Sequence, residues 1–132
     1  MAAVEQKETA PAPVSAENQE LALQYFLAGS MLDQKGEYAK AVLEYQDALK
    51  YKKDPAIYHA ISKDYSILGK HDLAIENAKE AVRLEEKNVK YRQALAEIYL
   101  HASNLTGAVE QYERIVAIDS TDRTIQMNLA RL

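Results

Sequence analysis

The sequence predicts an all-α fold of stacked helical hairpins, and three observations carry that expectation. The stretch Gly36 to Leu49, Gly-Glu-Tyr-Ala-Lys-Ala-Val-Leu-Glu-Tyr-Gln-Asp-Ala-Leu, recurs at Gly69 to Val82 and at Ser103 to Val116 with its small residues in register. The step is 33 residues from Gly36 to Gly69 and 34 from Ala74 to Ala108, a period at which the repeating unit is a pair of helices. Three prolines and four glycines in 132 residues leave long stretches without a helix breaker.

Taken in order, Met1 to Val14 holds Pro11, Pro13 and few branched apolar side chains. It cannot bury enough surface to offset ordering, so it reads as a disordered tail. From about Ser15, Leu21, Tyr25, Ala28 and Leu32 fall on one helical stripe, which predicts a first helix to about Gln34. Gly36 ends it by taking the positive φ of a helix C-terminus. A second helix is predicted from about Glu37 to Tyr51, with Ala41, Tyr45, Ala48 and Leu49 facing inward. Asp54-Pro55 starts the third, because Asp accepts from unpaired backbone N–H groups and Pro presets φ in the first turn. Helices three and four are expected at about 55–68 and 71–85, on either side of Gly69-Lys70. Asn88 caps the fifth, which runs to about Ala102, and Ser103-Asn104 makes the next turn. The sixth spans about Leu105 to Ile118, and a seventh begins near Arg123 and runs out at Leu132.

Composition removes several function classes. There is no Cys, hence no disulfide framework, thiol nucleophile or thiolate metal site. Of the net charge of −4, residues 1 to 20 supply most through Glu5, Glu8, Glu17 and Glu20 against Lys7. The remainder is nearly neutral, which argues against nucleic acid or an anionic membrane surface as the main partner. No apolar run approaches the roughly 18 to 20 residues of a membrane span, and no basic-then-apolar leader opens the chain. A cytoplasmic protein without membrane insertion is expected.

Small residues set how closely the helices stack. Gly29, Ser62, Ala96 and Ala130 fall at one place in successive first helices, and Ala41, Ala74 and Ala108 at one place in successive second helices. Tyr45, Tyr65, Tyr99 and Tyr112 fill the space beside them. A single hairpin of this size has too little core to stand alone, so neighbours must cover one another. With Ala22, Pro55, Val89 and Arg123 as first positions, the pattern resembles the tetratricopeptide repeat family, whose 34-residue unit carries a small residue at position 8, Ala at 20 and usually Ala at 27. Arg92 and Gln126 depart from the bulky residue at position 4, Ile115 from Ala at position 27, and the first repeat is one residue short. The resemblance implies a right-handed α-α superhelix of about three and a half repeats, at 22–54, 55–88, 89–122 and 123–132, within a repeat domain of 15–132 that follows the tail of 1–14.

The resemblance further implies that the first helices line a concave groove for a partner peptide or protein segment. Carried onto this chain, the candidate groove residues are Phe26, Ser30, Asp33, His59, Lys63, Ser66, Lys90, Gln93, Glu97, His101, Met127 and Arg131. Phe26, the one Phe of the chain, stands outside the repeat's packing positions and suggests an apolar pocket for a partner side chain. Some family members clamp the C-terminal carboxylate of chaperone peptides. The corresponding places here are Phe26, Ser30, Ala60, Lys90 and Ala94, of which Lys90 alone fits, so no such clamp is expected.

Chemistry finds no foothold in the sequence. Glu97 and His101 share a helix face, but two ligands do not make a metal site. His59 and His101 are separated by about 12 Å of helical rise, too far for a shared metal. No phosphate-binding glycine loop or nucleophile motif is present. The recurring tyrosines sit at packing positions and read as core, not as base-stacking platforms. The expectation is a non-enzymatic interaction scaffold without cofactor or metal, and a piece of a larger repeat protein. The competing expectations are a self-association module that pairs through its C-terminal edge into a homo-oligomer, and a regulatory segment of a multidomain enzyme.

Overall fold

The computed structural model describes residues 13–119. Within them run six helices: α1 (Ala16–Gln34), α2 (Tyr38–Leu49), α3 (Pro55–Ile67), α4 (His71–Leu84), α5 (Val89–His101) and α6 (Leu105–Ile118). Each boundary lies within two residues of its expected place. The expected seventh helix, with Met127 and Arg131, lies outside the described residues, as does nearly all of the N-terminal tail.

Local chemistry explains where the helices begin. Ser15 accepts from the Asn18 N–H, Asp54 from that of Ala56, Asn88 from that of Tyr91 and Asn104 from that of Gly107, so four of the six starts carry a side-chain cap. Within each hairpin the first helix ends in one recurring turn. The residue after the cap has positive φ, at Gly36 (76°), Gly69 (77°) and Ser103 (59°). The next N–H then returns to a carbonyl five residues back: Glu37 to Leu32, Lys70 to Tyr65 and Asn104 to Tyr99, at 2.8–2.9 Å. α2 ends at Leu49 rather than Tyr51, because Lys50 and Tyr51 donate to carbonyls three residues back, which tightens the last turn.

Helices pair as α1–α2, α3–α4 and α5–α6, and the hairpins stack in chain order through α2 on α3 and α4 on α5. The core is built across these junctions. Ala41, Val42, Tyr45 and Ala48 of α2 pack with Ile57 and Ile61 of α3. Ala74, Ala78 and Val82 of α4 pack with Leu95 and Ile98 of α5, and Ala96 of α5 packs with Ala108, Tyr112 and Ile115 of α6. Ala41, Ala74, Ala96 and Ala108 are fully buried, as the spacing of small residues requires.

The departures from the repeat pattern are absorbed by specific partners. Arg92 is buried, and its Nε donates to the Glu86 carbonyl at 2.7 Å while Nη1 donates to the Gln111 Oε1 at 2.9 Å. Buried Ser62 donates to the His59 carbonyl at 2.7 Å. Ile115 is fully buried in the third cluster. Polar groups in these positions are tolerated because each finds a partner inside the stack.

Candidate functional site

The first helices of the three hairpins bring ten of the candidate residues together. Phe26, Ser30 and Asp33 from α1 face His59 and Lys63 from α3 and Lys90 from α5 around a cleft of about 570 Å³, closed at its sides by Tyr45, Ala56, Ala60, Asn88 and Tyr91. His59, Lys63 and Lys90 also belong to an adjoining cleft of about 390 Å³, completed by Ser66, Ile67, Gln93, Ala94, Glu97, Ile98 and His101. The helical rise explains the gathering, since residues spaced three or four apart on α1, α3 and α5 share a face. Met127 and Arg131 lie outside the described residues.

The first cleft is walled by aromatic rings. Phe26 is half-buried against the first core cluster, its centroid 5.4 Å from that of Tyr45. Phe26 therefore both packs against the core and lines the cleft. His59 lies 5.0 Å from the Tyr91 ring. Burial, with Lys63 and Lys90 nearby, holds its imidazole down to about 4, so it is neutral at neutral pH. Lys63 and Lys90 therefore supply the positive charge at this end, and both are exposed.

The α1 end is acidic. The Tyr45 hydroxyl donates to Asp33 Oδ2 at 2.5 Å and lies 3.5 Å from Ser30 Oγ. Behind Asp33 sits Asp64 of α3, 2% exposed, which sequence reasoning missed. Its carboxyl is pushed up to about 8, first by burial and then by its hydrogen bond with Asp33. One signal pointed to it: position 10 holds Ile98 in the next repeat, a buried apolar place. The site is thus a cleft with aromatic walls, lined by Asp33 of α1, with buried Asp64 behind it, and by Lys63 of α3 and Lys90 of α5.

No three His, Asp or Glu side chains among the described residues are grouped so as to hold a metal ion. No helix among them is long and apolar enough to cross a membrane.

The comparison with known proteins agrees with this architecture. Two family models, each described as tetratricopeptide repeat, match residues 25–55 and 60–123. The chain belongs to the tetratricopeptide repeat family. It is similar to the small glutamine-rich tetratricopeptide repeat-containing protein 2 of Mycosarcoma maydis, with 27% identity over 95 residues, 71% of this chain and 27% of the relative. It thus spans about a quarter of that relative's length. Among solved structures, the N-terminal domain of stress-induced protein-1 from C. elegans superposes with a TM-score of 0.80 at 14% identity, over 89% of this chain and 98% of that one. The first tetratricopeptide domain of Spaghetti (RPAP3), bound to the HSP90 peptide SRMEEVD, gives 0.76 at 19% identity, over 86% and 90%. Yeast Tom70 gives 0.78 at 23% identity, over 85% of this chain and 23% of that one. At these identities the likeness concerns the fold: an all-α tetratricopeptide superhelix.

Proposed function

We propose that this protein is a non-enzymatic scaffold that holds an extended segment of a partner protein in the groove lined by α1, α3 and α5. The observation that carries the reading is the convergence of Phe26, Ser30, Asp33, His59, Lys63, Ser66, Lys90, Gln93, Glu97 and His101 on two adjoining clefts that share His59, Lys63 and Lys90. Together the clefts offer room for several consecutive side chains. Fold neighbours support it, since RPAP3 domains have been seen with HSP90 and HSP70 peptides.

Recognition differs in detail from a carboxylate clamp, because Phe26, Ser30, Ala60 and Ala94 stand where clamp residues would be and only Lys90 matches. Exposed Lys63 and Lys90 favour a segment with acidic side chains, and the apolar wall of Phe26, Ala56 and Ala60 favours a neighbouring apolar one. Selection of peptides from a display library on the immobilised protein tests this. Wild type should retain acidic-apolar peptides, and Lys63→Glu with Lys90→Glu, both at exposed positions, should lose them while keeping helicity and melting temperature. Retention of the same peptides by the double variant would place binding elsewhere.

A further inference from the structure

The acidic end of the first cleft contains an imbalance of hydrogen-bonding groups. Asp33 Oδ1 and Asp64 Oδ2 are both buried, and neither meets a donor among the described residues. Buried polar atoms without partners are rare and call for a physical account. Asp33 Oδ2 is already served by the Tyr45 hydroxyl. One proton resolves both orphans: a neutral Asp64 carboxyl donates to the Asp33 carboxylate. Two carboxyl groups at hydrogen-bonding distance in a site shielded from water cannot both be ionised cheaply, so they hold a proton in common.

The two residues stand in different hairpins, Asp33 near the end of α1 and Asp64 near the end of α3. The shared proton is therefore a link between hairpins, made where α1 forms one wall of the cleft. We propose that Asp33 and Asp64 form a proton-sharing carboxyl pair that ties the first hairpin to the second, so that loss of the proton loosens this junction and the α1 wall of the cleft. The charged and titratable groups acting on Asp64 are Asp33 from α1 and Lys63 from α3 itself, and the Tyr45 hydroxyl of α2 completes the cluster through Asp33. Lys63, exposed, favours ionisation of Asp64, but burial and Asp33 outweigh it, which places the change near pH 8. His59 and Lys90 lie across the cleft.

The sign follows from linkage. A carboxyl whose folded value lies above its unfolded one stabilises the fold relative to its ionised state at low pH. That contribution is lost as pH rises from the ordinary carboxylate range through about 8. The pair stands apart from any view of what the groove binds.

The direct test is a carbon-13 NMR titration of the Asp side-chain carboxyls in the whole protein. An Asp64 midpoint near 8, shared by the backbone amides of Ser30, Tyr45 and Ala60 but not by Ala108 in the third hairpin, is the expected result. A midpoint below 5 would overturn the proposal, as would shifts that fail to share it. A second measurement uses Asp64→Asn, whose amide N–H can take the place of the shared proton. Between pH 6 and 9 the melting temperature of wild type should fall relative to that of the variant. Parallel curves would contradict the inference. Should the variant fail to fold, the wild-type titration alone decides.

Discussion

A Cβ placed on Gly29 would lie 2.5 Å from Cε1 of the Tyr45 ring. No side chain can share that space, so the approach of α1 to α2 depends on the missing methyl group. Tyr45 is 2% exposed and held through its hydroxyl by Asp33, and it has no free direction in which to retreat. Gly29→Ala should therefore destabilise the protein by about 1 to 3 kcal/mol through overpacking, seen as a lower denaturation midpoint by circular dichroism. A midpoint equal to wild type would mean that the ring can move, contrary to its assigned role.

Ala41 makes the companion case on the opposite helix. It is fully buried in the first core cluster, and Ala41→Leu should cost roughly 1 to 3 kcal/mol for the same reason. Because Ala41 lines neither cleft, peptide capture should persist wherever the variant remains folded.

Ser103 occupies the left-handed turn position that Gly36 and Gly69 fill in the other hairpins. A residue with a Cβ pays roughly 1 kcal/mol there, partly offset because glycine has more freedom to lose on folding. Ser103→Gly should raise stability by roughly 0.5 kcal/mol, whereas Gly69→Ala should lower it by about 1 kcal/mol. Urea denaturation of the two variants should give shifts of opposite sign.

The Arg92 guanidinium is buried with Gln111 as one of its two acceptors. Gln111→Leu alone strands a charged donor and should cost about 2 to 3 kcal/mol. Adding Arg92→Met removes the stranded charge, so the double variant should be more stable than Gln111→Leu by itself. Additive losses would show that the pair is not coupled.

His59 predicts an acid-side loss of stability. Its folded value, about 4, lies below the ordinary imidazole value, so the unfolded chain takes up a proton first as pH falls. The stabilisation is present above about 6.5 and disappears as pH drops toward 4. An imidazole proton titration by NMR should show His59 titrating near 4, and His59→Phe should flatten the wild-type loss between about pH 6.5 and 4.5. Titration of His59 at an ordinary value would remove this effect.

Much of the fold is legible in the sequence because its causes are local or periodic. Asp54 and Asn88 announce helix starts through hydrogen bonds to N–H groups two or three residues away. Gly36 and Gly69 announce helix ends through their own φ. Register of Ala41, Ala74 and Ala108 implies close stacking, since a small residue repeated at one place in a hairpin has few other physical uses. The candidate groove residues follow from the same register, and ten of them face the two clefts.

What only the tertiary structure decided are the meetings of side chains far apart in the chain and of opposite expectation. Asp64 drew no reading from the sequence, yet stacking α3 against α2 buries it and sets it beside Asp33 of another hairpin. Arg92 breaks the repeat pattern in the sequence and is reconciled only when α6 presents Gln111 nineteen residues later. Phe26 stands outside the repeat's packing positions in the sequence, yet in the stack it packs on Tyr45 of α2 while lining the cleft. Period and propensity determine which residues form helices and in what order they stack. Burial of charge, and with it the protonation of His59 and Asp64, depends on what each neighbour brings to the contact, and that information exists only once the hairpins are assembled.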